Sequence, residues 1–397
     1  MARIGIYGGT FNPPHIGHIE AAKQAAELLH LDTLLLIPDR IAPHKQLPEG
    51  SPSPQQRLEM LQIAVDGESM LEVSDMELHR EGPSYTYQTV LQLKEQYPQD
   101  ELIFVMGTDM FLSFDTWKNP DIILDNASLA VLYRGEKDEI DSIGQKKQQM
   151  EAAGRQIYLV ANQVLPISST DLRRMLVFDC ARPYLPAGVG AYIRDNGLYG
   201  CATDRRRLSM EKLEAVATLL LKPSRIAHVL GCRDTAVELA RHWGADETDA
   251  ARAALLHDVT KALPPQLQLT LCEEYGIILD AFSRKNPKTL HALTGSLVAN
   301  RIFGENEAVV NAIRHHTTGK ADMNLLEKII YVADYMEPNR NFSGVEKLRS
   351  LAFSNIDEAL KLGLEMTLAL LKEQGREISP ESQEALNWLI RKEQTIC

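Results

Sequence analysis

The spacing of apolar residues changes near residue 203, and that change divides the chain. Before it, short unbroken apolar runs alternate with amphipathic stretches. Ile4–Tyr7, Thr33–Pro38, Leu102–Gly107, Leu129–Tyr133 and Gln156–Val160 predict strands buried on both faces. Helical spacing separates them, most clearly over Ile16–Leu29 and Pro54–Val65. Strand and helix in regular alternation predict an α/β doubly wound parallel sheet with helices on both faces. Such sheets take ligands at the carboxyl ends of their strands, where the strand order reverses.

From about Arg207 the strand pattern disappears. Helical spacing runs through Met210–Leu221, Arg225–His242, Thr248–Lys261, Leu290–Phe303, Glu307–His316, Asn324–Tyr335 and Glu358–Lys372. The short joints carry helix stop and start residues: Gly244, Pro264–Pro265, Gly304 and Gly319. An all-α second domain follows, with expected boundaries 1–203 and 204–397 and a linker within Cys201–Arg207. Its triple arginine reads as a solvated joint.

Length supports this division, since 397 residues exceed one ordinary core and suffice for two. Five cysteines without a C-x-x-C pair read as free thiols, which fits a cytoplasmic protein. The sequence holds no membrane-spanning run, and its first residues, MARIGIYGG, form a buried-strand pattern that argues against secretion. Residues 1–203 carry 17 Lys and Arg against 27 Asp and Glu; the remainder carries 25 against 27. An acidic first domain must hold anionic ligands through helix N-termini, imidazoles and a few placed cations. No basic face marks a nucleic-acid partner.

The first candidate chemistry lies in GGTFNPPHIGH, Gly8 to His18, directly after the first expected strand. His15 and His18 stand at the start of an amphipathic helix, where imidazoles and a positive helix end can neutralise a phosphate. Gly8 and Gly9 would let backbone amides approach it, with Thr10 and Phe11 next in the loop. Ile167-Ser168-Ser169-Thr170-Asp171-Leu172-Arg173 supplies cap hydroxyls and an arginine one turn in, a second anion site. Either stretch alone could be a turn or an N-cap; together they point to nucleotide phosphate.

Together these stretches resemble the nucleotidylyltransferase superfamily, whose fold is Rossmann-like. Pro43-His44-Lys45, Pro83-Ser84-Tyr85-Thr86, Gly107-Thr108-Asp109 with Trp117, Arg134, and the run Tyr184–Tyr199 narrow the resemblance to nicotinate-nucleotide adenylyltransferases. The resemblance implies attack of the nicotinate mononucleotide phosphate on the α-phosphate of ATP, with Mg²⁺ on ATP, giving deamido-NAD and pyrophosphate. It also implies roles: His15, His18, Lys45 and Arg173 at phosphate, Asp109 at ribose, and Thr86 and Trp117 at the pyridine carboxylate. His44, Gly107, Arg134, Ser168, Ser169 and Thr170 complete the binding set. Lys118 departs from the family, which often places an aromatic there.

The second chemistry is scattered over the helical half: His228, His257-Asp258, His291, His315-His316 and Asp334. His257-Asp258 interrupts the apolar helix AARAALLHDVTKAL, and a buried polar pair needs a partner. Mixed imidazole and carboxylate donors suit Fe, Mn, Co or Zn. The order of these residues resembles HD-domain phosphohydrolases. RIAHVLG, ALLHDVTK, AIRHHTTG and IIYVADYMEPNR are similar to the branch that splits diadenosine tetraphosphate symmetrically. The resemblance implies His228, His257, Asp258, His291, His316 and Asp334 as ligands of two metal ions, Asp258 bridging and catalytic, with Lys261 and Arg340 at phosphate. Adjacent helical residues point about 100° apart, so one of His315 and His316 is chosen, and His316 precedes the motif threonine. Alternatives for this half are a nucleotide sensor and a hydrolase of guanosine polyphosphates or other phosphoesters. Whether the chain forms a homo-oligomer is left open.

Overall fold

The computed structural model describes residues 1–43, 46–133, 137–162 and 167–396. The chain divides into two compact units, Met1–Thr203 and Asp204–Cys397. Among the described residues, no helix is long and apolar enough to cross a membrane. Among the described residues, Cys180, Cys201, Cys232 and Cys272 form no disulfide.

In the first unit, six strands form one sheet: β1 Arg3–Gly9, β2 Thr33–Pro38, β3 Leu71–Val73, β4 Glu101–Gly107, β5 Ser128–Tyr133 and β6 Ile157–Ala161. All pairs are parallel, in the order β3-β2-β1-β4-β5-β6. The edge strand β3 escapes the hydrophobic pattern because its three residues are too few to show a period. Along β2 the side chains alternate between two cores, Leu34 and Leu36 on one face, Leu35 and Ile37 on the other. Both faces are therefore dry, which explains why the strands read as continuous apolar runs. Strand order reverses between β1 and β4, opening a crevice at their carboxyl ends.

A buried ion pair braces the loop that leaves β1. Arg57, on the helix Pro54–Ala64, has no exposed surface. Its Nη1 donates to the Thr10 carbonyl at 2.6 Å and to Asp39 Oδ1 at 3.1 Å; its Nη2 donates to the Asp39 carbonyl at 2.7 Å. Thr10 Oγ1 donates to Asp39 Oδ2 at 2.6 Å, closing the network.

The second unit is helical throughout its described residues. Its principal helices are Met210–Leu220, Pro223–Trp243, Glu247–Leu256, Pro265–Glu274, Leu290–Arg301, Glu307–His315, Leu325–Met336, Val345–Ala352, Ile356–Glu373 and Pro380–Ile396. Three of them, Pro265–Glu274, Val345–Ala352 and Pro380–Ile396, are absent from the sequence expectation. Two expected helices also stop early at a histidine, and Leu290–Arg301 ends two residues before the expected Phe303. The segment expected to run to Lys261 ends at Leu256, with His257 as its C-cap and Asp258 in the turn beyond. His257 Nδ1 bonds the Ala254 carbonyl at 2.6 Å, the acceptor that the Asp258 amide would use in a continuing helix. His316 likewise caps Glu307–His315, its Nδ1 on the Ile313 carbonyl at 2.7 Å.

Replacing Arg57 by Ala leaves the Asp39 carboxylate and the Thr10 carbonyl without their buried partner. Loss of one member of such a pair costs about 3–5 kcal/mol. We expect the denaturant transition of the first unit, followed by near-ultraviolet circular dichroism, to move to lower concentration accordingly.

Candidate functional site

Each unit carries one candidate site. In the first, a cleft of about 770 Å³ lies at the carboxyl ends of the central strands. His15, His18, Gly107, Asp109, Ser168 and Ser169 line it, joined by Tyr7, Thr108 and Glu139, which sequence reasoning did not single out. His15 caps the helix Ile16–Leu28, and its ring stacks on that of His18 with centroids 3.6 Å apart. The His15 amide donates to His18 Nδ1 at 3.3 Å, so the His18 proton belongs on Nε2. Burial lowers His15 to about 4, and burial followed by the charge of His15 holds His18 well below its ordinary value. Both imidazoles are thus neutral at pH 7. His15 Nδ1 is buried without a hydrogen-bond partner.

Gly8, Gly9, Thr10 and Phe11 do not line this cleft. A Cβ on Gly9 would stand 3.1 Å from the Phe11 ring, so its missing side chain makes room for a neighbour rather than for a ligand. Phe11 itself is buried against Tyr7 and His18. Thr10 turns to Asp39.

Ser168 caps the helix Ser169–Val177 by accepting from the Asp171 amide at 3.1 Å. Arg173 donates from Nη2 to Thr170 Oγ1 at 3.1 Å and from Nη1 to the Asn12 carbonyl at 2.7 Å. Asn12 is buried and answered at both ends: Tyr199 donates to its Oδ1 at 2.7 Å, and its Nδ2 donates to Ser51 Oγ at 3.0 Å. Sequence reasoning passed over Asn12, Tyr199, Asp39 and Arg57 as functional residues. Asn12 and Tyr199 both lie inside motif stretches, which was the available signal.

Thr86 opens the helix Thr86–Gln96, and Trp117 packs on Phe104 and Phe114. The Lys118 ammonium lies 4.2 Å above the Tyr85 ring, joining the two segments by a cation–π contact. Neither Thr86 nor Trp117 lines the cleft described above. His44, Lys45 and Arg134 lie outside the described residues.

In the second unit, four scattered imidazoles converge on one carboxylate, and a second carboxylate meets two of them. Asp258 has no exposed surface. His257, His291, His316 and His228 bring Nε2 to 3.5, 3.5, 3.7 and 3.8 Å from its oxygens. Asp334 Oδ1 stands 3.0 Å from His228 Nε2 and 3.8 Å from His257 Nε2. His315 turns away, its Nδ1 facing Glu327 Oε1 at 3.2 Å. The outward nitrogens are all engaged: Nδ1 of His257, His291 and His316 on the carbonyls of Ala254, Lys288 and Ile313, and Nδ1 of His228 on Glu337. That fixes the proton on Nδ1 and leaves the Nε2 lone pairs facing inward. Nε2 of His228, His257 and His291 and Asp258 Oδ1 are buried without hydrogen-bond partners.

Such a set of buried, convergent lone pairs fits a cation. Two groups have ligand atoms within 4.8 Å of one another, His228–His257–Asp334 and His257–Asp258–His316, with His257 common to both. Lys261 Nζ stands 3.1 Å from Asp258 and Arg340 Nη2 2.8 Å from Asp334, and Arg225, which sequence reasoning missed, also pairs with Asp258. Burial opposes ionisation of both carboxyls, but His257 and the surrounding donors hold Asp258 well below the carboxylate range, and His228, His257 and Arg340 do so for Asp334. Burial lowers His291 to about 3, with Lys261 acting in the same direction.

The fold and the two sites define a nucleotidyltransferase unit followed by an HD unit. Residues 6–175 match the cytidylyltransferase-like family and residues 225–339 match the HD domain. The first half is 36% identical over 198 residues to a probable nicotinate-nucleotide adenylyltransferase of Borreliella burgdorferi, covering 50% of this chain and 96% of that one. The second half is 36% identical over 184 residues to a symmetrical bis(5′-nucleosyl)-tetraphosphatase of Bacillus subtilis, covering 46% and 98%. A solved structure from Clostridium acetobutylicum, described as a predicted HD superfamily hydrolase involved in NAD metabolism, is 38% identical, covers 47% of this chain and 98% of its own, and has a TM-score of 0.46. The chain belongs to the nicotinate-nucleotide adenylyltransferase family through its first half and to the HD-domain, symmetrical tetraphosphatase family through its second.

The depressed His15 predicts a pH effect. The unfolded imidazole protonates near its ordinary value while the folded one stays neutral to about 4. Stability from this group is complete above about pH 6.5 and is lost as pH falls toward 4, by on the order of 3 kcal/mol in total. Histidine proton NMR should show one resonance of the ligand-free protein titrating near pH 4, absent from His15→Asn.

Proposed function

We propose that the first unit transfers the adenylyl group of ATP to the phosphate of nicotinate mononucleotide, releasing pyrophosphate and forming deamido-NAD. The observation that carries this reading is the stacked, neutral His15–His18 pair facing a cleft at the sheet's switch point. His18, protonated on Nε2, can donate to a phosphate oxygen without bringing a charge that burial would penalise. Arg173, anchored to the loop through Asn12, adds positive charge beside it. Asp109, in the first turn of the helix Thr108–Leu112 and on the cleft wall, would accept from a ribose hydroxyl. Mg²⁺ enters with ATP, and no covalent nucleophile is needed: the unit positions two substrates and steadies charge.

For the second unit we propose a metal-dependent hydrolase that splits diadenosine tetraphosphate symmetrically into two ADP. The convergence of four imidazole Nε2 atoms on buried Asp258, with Asp334 against two of them, supports it. These residues would hold two divalent ions, Fe, Mn, Co or Zn, with Asp258 between them. Bound there, the ions supply a Lewis acid and a nucleophile effective near neutral pH. Lys261, Arg340 and Arg225, now paired with the carboxylates, are the cations available to phosphate.

Product analysis tests both readings in one preparation. With Mn²⁺, Co²⁺ or Fe²⁺, full-length protein should convert diadenosine tetraphosphate to ADP as sole product. A His257→Ala, Asp258→Ala double variant should lose this by well over the roughly 10–100-fold that outer-shell changes alone cost. The variant should still form deamido-NAD at the wild-type rate. Any AMP or ATP among the products sinks the symmetrical assignment, and turnover of guanosine polyphosphates alone redirects it.

A further inference from the structure

Three of the four imidazoles around Asp258 rest their outward nitrogen on a neutral backbone carbonyl, whereas His228 rests its own on a carboxylate. Glu337 Oε1 lies 3.1 Å from His228 Nδ1, and its side chain is 1% exposed. Its second oxygen is also claimed. Glu337 Oε2 accepts from the Asn339 amide at 2.7 Å and from Asn339 Nδ2 at 2.8 Å, and that same Nδ2 also reaches the Ala227 carbonyl at 3.1 Å. The carboxylate therefore cannot swing aside without abandoning three donors.

The helix Pro223–Trp243 is shaped to admit it. A Cβ built on Gly231 would stand 2.6 Å from Glu337 Oε2 and 3.1 Å from Asn339 Nδ2. A glycine one turn past His228, costly inside a helix, leaves the space in which the carboxylate reaches the imidazole. On the other side, Glu337 closes the helix Leu325–Met336, which carries Asp334, and Arg349 Nη2 donates to the Glu337 carbonyl at 3.0 Å. One residue thus joins the two helices that supply His228 and Asp334.

We propose that Glu337 is a positioning residue that makes the two metal positions unequal. A carboxylate behind a ligating imidazole fixes its tautomer and strengthens its donation. The imidazoles divide between the two oxygens of Asp258: His228 and His257 face Oδ2 with Asp334 beside them, and His291 and His316 face Oδ1. Only the first set contains such an imidazole, and the second relies on carbonyl-backed rings. The first position binds a divalent ion more tightly, and the second fills later and exchanges faster. This inference rests on the binuclear reading of the second unit.

The test is Mn²⁺ binding to the metal-stripped full-length protein, read as free Mn²⁺ by electron paramagnetic resonance. The wild type should show two classes of site. Glu337→Gln keeps the shape and removes the charge; it should weaken the tighter class by about 10–100-fold and leave the weaker class within about two-fold. Gly231→Ala, which displaces the carboxylate, should give the same pattern, and the double variant should be no worse than either single one. Unchanged affinities in Glu337→Gln, or equal weakening of both classes, overturn the proposal. A wild type that binds one ion or none overturns the binuclear reading itself.

Discussion

A charge taken out of water must be answered by its surroundings, and both units are organised around that constraint. In the first, the guanidinium of Arg57 is wholly buried and is answered by Asp39 and the Thr10 carbonyl. The loop between β1 and its helix takes its course from those bonds, and His15 stands where the loop ends. In the second, Asp258 is wholly buried and faces Lys261 and Arg225, while the imidazole lone pairs turned toward it make room for a cation. Either network half-satisfied would be worse than an apolar core. The positions of the chemically active groups thus follow from electrostatics before any substrate is considered.

Much of the architecture was legible because burial leaves a periodic trace. Strands with two dry faces read as apolar runs, and β1, β2, β4, β5 and β6 were each found within about two residues. The edge strand β3 was lost through brevity, and Val345–Ala352 was lost among charged residues. The two helices that ended early failed for a different reason. His257 and His316 use their own imidazoles to take a carbonyl from the backbone ladder, a competition that no propensity scale registers. The side chain that stops the helix is the one whose other nitrogen turns to Asp258.

The sites were legible in part. Histidines and aspartates at motif spacing announce themselves, and five of them gather with Asp258 in the second unit. What remained hidden were groups that act through another residue. Asn12 lies inside the most informative stretch of the chain but reads as a turn residue. Tyr199 ends a motif run and Arg57 lies within an amphipathic stretch, and neither spacing shows a partner. Their contacts span 187 and 47 residues, distances over which sequence pattern carries no register.

The bond from Tyr199 to Asn12 ties the last turn of the first unit to its first loop. A ribosome delivers these two residues at opposite ends of the unit's synthesis. β1 can pair with β2 as soon as both have emerged, and the sheet can grow outward from there. The loop that holds Arg173 cannot be completed until Tyr199, in the last turn of the unit, has been made. The sheet can therefore assemble before its first loop is tied down.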